Sequence, residues 1–254
     1  MEFDEFKYFT AITEFSSQSK FSDCKNLVSI NLTNIVKVSG YNGYNRFGFE
    51  NCTSLKNVVI NPAMTELGYQ AFYKCTSLEE IDLSHIKAMY DGAFQGSGIR
   101  LADISNLETL GPRVFADCGN FIGNPEGIRL PRLKGTLGEI AFKSTSVTKV
   151  LDLGSVSIVG VGNSTYQYGP FYGCKKLTEV ILPATVTSIG WGTFRYCAAL
   201  QYVKILATVP PALGDNTFEG TNNCPIYVPA ASINAYKVAT NWSTYASRIQ
   251  AIVD

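Results

Sequence analysis

Apolar positions recur along this chain in one fixed string. From Phe72 it reads Phe72-x-x-Cys75-x-x-Leu78-x-x-Ile81-x-Leu83. The same string runs Phe194, Cys197, Leu200, Val203, Ile205, and again Phe171, Cys174, Leu177, Val180, Leu182. Nearer the N-terminus it runs Phe21, Cys24, Leu27, Ile30, Leu32 and Phe49, Cys52, Leu55, Val58, Ile60. Two copies are one residue short and carry Ser97 or Thr145 in place of the cysteine, after Phe94 and Phe142. The copy at Phe115, Cys118 and Phe121 is interrupted before Ile128 and Leu130, and a degenerate last copy holds Phe218, Cys224 and Tyr227-Val228-Pro229. That makes about nine copies, spaced at the 20–29 residues of a short solenoid repeat.

Each copy has a second element upstream of its Phe, best seen in Thr187-Ser188-Ile189-Gly190-Trp191-Gly192-Thr193-Phe194. One coil is therefore expected to hold a short strand ending in Gly, a single helical or 3-10 turn around Ala-Phe-x-x-Cys, and a second short strand. In that second strand apolar and polar residues alternate, the period of a half-buried strand. Pro131, Pro183 and Pro229 end it, since proline cannot donate to a ladder. One coil cannot bury its own apolar face, so neighbours must cover it. Stacking then predicts a column of phenylalanines with the small Cys, Ser or Thr inside.

This pattern resembles the BspA-like leucine-rich-repeat family of bacterial, often surface-exposed proteins. The fold it implies is a right-handed leucine-rich-repeat solenoid of short parallel strands, here one domain over residues 1–254. Residues 1–20 are expected as an N-terminal cap, 21–229 as about nine repeats, and 230–254 as a helical C-terminal cap. Ser232 is placed to N-cap a helix through Ile233, Tyr236 and Val238. Trp242, Tyr245, Ile249 and Ile252 fall at three- and four-residue steps, which predicts a second short helix. The spacing departs from the repeat at residues 40–47, 122–127 and 161–169. The resemblance implies a cell-surface or secreted protein, and the family includes adhesins that bind host proteins.

Charge adds an exclusion. Lys+Arg and Asp+Glu are equal at 21 each, which argues against nucleic acid as a main partner. No apolar run reaches the length of a transmembrane helix. The start, Met1-Glu2-Phe3-Asp4-Glu5-Phe6, shows neither the basic nor the apolar region of a signal peptide, so the compartment stays open on sequence alone. The seven cysteines include no Cys-x-x-Cys, and the single histidine, His85, has no metal-ligand spacing to any of them. Six of the seven share one repeat position, which predicts buried free thiols. His85 is expected as a solvated turn residue. No catalytic constellation, metal or cofactor is expected.

Two surfaces are candidates for binding. On the strand face, one exposed row would hold Asn31, Val59, Asp82, Asp103, Arg129, Ile181 and Lys204. Its neighbour would hold Ser29, Asn57, Glu80, Leu101, Glu179 and Tyr202, so Glu80, Asp82 and Asp103 form an acidic cluster. The other surface is the ridge where the insertions emerge, carrying Tyr41, Tyr44 and Arg46 in one and Tyr166 and Tyr168 in the other. Tyr, Asn and Gly suit adaptable recognition loops. The function expected is a non-enzymatic, adhesin-like module that binds a protein or glycan partner as a monomer. The alternative is a structural spacer with no ligand of its own.

Overall fold

In the strand Glu179–Leu182, Val180 and Leu182 turn inward and are buried, while Glu179 and Ile181 stay half exposed. Ser29–Leu32 and Tyr202–Ile205 repeat this alternation. The computed structural model describes residues 21–35, 48–160 and 168–253, with the backbone of Glu2–Phe3, Glu14–Phe15 and Lys37–Val38 in addition. Every paired strand in it is parallel to its partner one coil away.

Two walls result. The first is built from the Leu-x-x-Ile-x-Leu strands. It runs from Glu2–Phe3 through Ser29–Leu32 to Asn57–Ile60, and resumes as a six-stranded sheet from Ile128–Arg129 to Ile249–Ala251. Between these blocks it thins to single bridges, Glu80 to Leu101 and Leu101 to Gly123. The register pairs Ser29 with Asn57, Asn31 with Val59, Glu179 with Tyr202 and Ile181 with Lys204, so the exposed rows form within these two blocks, while the register shifts between Val150 and Asp152. The second wall is built from the Gly-ended strands, among them Glu66–Leu67, Ala88–Met89 and Thr109–Leu110, then Lys134–Leu137, Ser155–Val159, Ser188–Ile189 and Ala212–Leu213. Coils approach closely at its end. A Cβ on Gly214 would lie 2.4 Å from the Trp191 nitrogen, which only glycine avoids.

The turn between the walls is a third ladder. Tyr73 and Cys75 donate to the carbonyls of Gln70 and Phe72, three residues back, while Gln70, Phe72 and Lys74 donate to Asp91, Ala93 and Gln95 of the next coil. Left-handed residues make this alternation. The position two after the Phe has φ between 55° and 70° in nine copies: Asp23, Asn51, Lys74, Gly96, Asp117, Ser144, Gly173, Tyr196 and Gly220. A second such position lies two before the Phe, at Gln70, Gly92, Arg113, Ile140, Gly192 and Asn216. The expected helical turn is thus a run of three-residue-back turns broken by left-handed residues, whose N–H groups serve the neighbouring coil.

Inside, nine phenylalanines from Phe21 to Phe218 stack in one column, with centroids 5.2–5.7 Å apart and planes within 20° of parallel. Offset stacking of this kind contributes about 0.5–1.5 kcal/mol per pair beyond area burial. Beside it runs the thiol ladder. All seven cysteines are free, and six are buried. Cys52, Cys75, Cys118, Cys174 and Cys197 each donate Sγ–H to the carbonyl of the preceding coil's Phe at 2.9–3.1 Å. The hydroxyls of Thr145 and Thr221, at the same position, donate instead to their own coil's Phe142 and Phe218 at 2.8 Å.

The C-terminal segment closes the column. The helix α1, Ile233–Val238, buries Tyr236, whose hydroxyl donates to the Ala207 carbonyl at 2.8 Å. Trp242 is buried, donates Nε1–H to the Pro211 carbonyl at 2.7 Å, and meets Phe218. Two expectations are corrected here. Ser232 makes no side-chain cap bond, because its Oγ donates to the Thr208 carbonyl at 2.7 Å. Only Trp242–Arg248 is helical, as a 3-10 helix. Ile249–Ala251 is a strand on Ile226–Val228, since that strand's open edge outcompetes one more helical turn.

Candidate functional site

The first candidate surface lies where the strand wall thins. A depression of about 610 Å³ is lined there by Val59, Glu80, Asp82, Leu101, Asp103 and Pro125, among others. The structure therefore brings the acidic cluster together, beside Val59, which is 50% exposed. Two of its three carboxylates have local partners. Asp82 accepts from the Ser84 N–H at 3.0 Å and hydroxyl at 2.7 Å, bonds that hold its carboxyl below the usual range. Asp103 accepts from the Ser105 N–H at 3.0 Å. Asn31 and Asp152 play the same part at the same repeat position. These side chains form the turns that end each strand. Asp-x-Ser is readable as a turn signal in the sequence, and it explains the charge without a ligand.

The second candidate surface is the ridge. Tyr41, Tyr44, Arg46 and Tyr166 lie outside the described residues. Tyr168 is described and is 38% exposed. It meets Tyr172 at 4.3 Å between centroids and Trp191 at 5.5 Å. Tyr172 meets Tyr196 edge to face at 5.5 Å and 78°. The Arg195 guanidinium lies over Trp191 at 5.1 Å and over Tyr196 at 4.8 Å, and Glu219 anchors it at 2.7 Å. Burial comes first among the effects that push the Tyr172 hydroxyl above its ordinary value of 10.0. A depression of about 440 Å³ opens beside the rings, lined by Ser144, Tyr172, Gly173, Lys175, Tyr196, Ala198 and Gly220.

Sequence reasoning placed Tyr168 on this ridge and did not name Tyr172, Trp191, Arg195 and Tyr196, which the structure brings beside it. The signal was available by columns of the repeat. Tyr168 and Trp191 both stand three before a Phe, Tyr172 and Arg195 one after, and Tyr196 two after. Side chains at one repeat position come to lie one coil apart.

Among the described residues, no group of three or more His, Cys, Asp or Glu side chains could hold a metal ion. No described helix is long and apolar enough to cross a membrane. His85 sits in a turn as expected, yet it is half-buried and its Nε2 is shielded from solvent without a partner, which corrects its reading as a solvated side chain.

The BspA type leucine-rich-repeat region, in six copies, matches residues 3–122, 45–168 and 164–240. A leucine-rich-repeat protein from Bacteroides ovatus is 18% identical, with 94% of this chain and 88% of that one covered and a TM-score of 0.35. A leucine rich cell surface protein from Faecalibacterium prausnitzii is 17% identical, with 96% and 84% covered and a TM-score of 0.44. A leucine-rich-repeat protein from Eubacterium ventriosum is 17% identical, with 77% and 59% covered and a TM-score of 0.38. Comparison with curated proteins returns no match. Together with the Phe column and the two parallel walls, the match over nearly the whole length leads to one conclusion: the chain belongs to the BspA-type leucine-rich-repeat family.

Proposed function

We propose that this chain is a non-enzymatic interaction module of the bacterial cell surface, and that its aromatic ridge is the contact face. The observation that carries the reading is the cluster of Tyr168, Tyr172, Trp191 and Tyr196, exposed or half-exposed on one side of the stack. The core does not need these rings, because the Phe column is complete without them. Tyr, Trp and Arg supply large contact area at modest entropic cost and dominate interface hot spots. The surface location is supported by the family, whose members are often exposed at bacterial surfaces.

The test is binding of the intact chain to immobilised fibronectin, fibrinogen and mucin. Tyr172→Ala with Tyr196→Ala should reduce binding at least tenfold while leaving the melting transition within a few degrees of the unsubstituted protein. Binding that survives the pair but is lost with Glu80→Gln would move the contact to the strand wall. No binding to any of the three would favour a spacer.

A further inference from the structure

We infer that the depression beside Tyr172 and Tyr196 is a carbohydrate subsite, taking a pyranose ring of a short oligosaccharide. The assignment rests on the ridge being a contact face and names the chemistry it contacts. The hydroxyls of Tyr168, Tyr172 and Tyr196 have no hydrogen-bond partner among the described residues. Those of Tyr90, Tyr202 and Tyr236 are bonded to Glu66, Glu179 and Ala207. Three neighbouring phenols thus present both a ring surface and a hydroxyl with no partner among the described residues at one place on the molecule.

Other ligand classes fit less well. The backbone is already committed to the coil-to-coil ladder. Ser144, Gly173 and Tyr196 donate their N–H groups to the carbonyls of Tyr172, Arg195 and Glu219. An extended peptide therefore finds no strand edge to pair with. A proline-rich segment needs a slot between aromatic walls, but Tyr172 and Tyr196 touch edge to face and leave none between them. A cation would compete with Arg195, which already covers Trp191 and Tyr196. Of the adjoining charges, Arg195 is paired with Glu219 and Lys143 with Asp117, which leaves Lys175 in the lining, an exposed ammonium that water and salt screen and too little by itself to select an anion.

What suits the place is a ligand with a weakly polar C–H face for the rings and hydroxyls around its edge. A pyranose has both, and its C–H groups meet the negative face of an aromatic ring favourably. Gly173, Gly220 and Ala198 keep the floor low, while Ser144 and Lys175 add polar groups to the lining. The volume, about 440 Å³, falls within the small-molecule range of about 300–1,000 Å³. Tyr196 adds an independent point. It occupies the left-handed repeat position at φ 62°, where most copies use Gly, Asp or Asn, and it remains 39% exposed. A bulky side chain is costly there and gains little burial in return.

The experiment titrates the intact chain with maltotriose, cellotriose, chitotriose, N-acetyllactosamine and 3′-sialyllactose, and in parallel with a proline-rich decapeptide. Saturation-transfer NMR and Trp191 fluorescence read the binding. At least one saccharide should bind saturably, and Tyr172→Ala should weaken it tenfold or more. Tyr196→Gly is the decisive variant. Gly96, Gly173 and Gly220 fill the same position in other coils, so the fold is retained while the ring is lost, and saccharide binding should fall tenfold with an unchanged or higher melting temperature. Saccharide binding that ignores both variants, or binding of the decapeptide alone, overturns the inference. If no saccharide binds while matrix or mucin binding still depends on Tyr172 and Tyr196, the carbohydrate assignment falls and the ridge stands. If both kinds of binding are lacking, both fall.

Discussion

At the scale of single residues, two repeat positions carry most of the chemistry. The first is the left-handed residue two after each Phe. Asp, Asn and Gly adopt it readily, whereas Lys74 does so at φ 55°. Lys74→Gly should therefore stabilise the chain by about 0.5–1 kcal/mol, relief of strain exceeding the added chain entropy, as equilibrium urea unfolding would show. The second position is the thiol. Burial, chiefly, raises Cys52 and Cys174 from an ordinary value of 9.0 to about 11, and Cys118 to about 12. Native thiols should react slowly with an aromatic disulfide at neutral pH, and close to seven should appear once the chain is unfolded without reductant. The same shifts set an alkaline limit. Above about pH 9 the unfolded chain loses thiol protons that the folded chain keeps, so stability should decline as pH rises towards 11–12. A melting temperature that stays flat from pH 8 to 11 would contradict this.

At the scale of the element, the coil is the unit, and its central ring is covered on both sides by its neighbours. Phe115→Ala should cost about 3–5 kcal/mol, because Phe94, Phe121 and Phe142 all lie against that ring and cannot close the gap together. An unchanged denaturation midpoint would contradict the stacked column. The column, the strand rows and the proline stops were legible in the sequence because each is a residue type recurring at a fixed offset. Three features were not. The left-handed positions accept Asp, Asn, Lys, Ser, Tyr or Gly, so no letter marks them. Ile249 and Ile252 keep helical spacing, but an open sheet edge one coil away decides their conformation. Tyr172, Arg195 and Tyr196 sit next to core residues and show no pattern within a single copy; only alignment of the copies in columns, which stacking turns into proximity, puts them together.

At the scale of the whole molecule, order propagates in one dimension, since each coil touches only the coils beside it. Contact along the stack is uneven. The turn ladder and Phe column run through the described coils, whereas the first wall is reduced to isolated bridges at Glu80, Leu101 and Gly123. If the two ends were drawn apart, every junction between coils would bear the same tension, and such a series yields at its weakest link. The thinned stretch, where the second wall and the turn ladder carry the junctions with little help from the first wall, is the expected link. Single-molecule stretching should show an early, partial extension as the coils between Ile60 and Ile128 let go. Ile128–Arg129 and the strands after it should hold to higher force. Tyr172 and Tyr196 lie on the stronger side, so a tethered chain under flow could lengthen considerably while its aromatic ridge kept its shape.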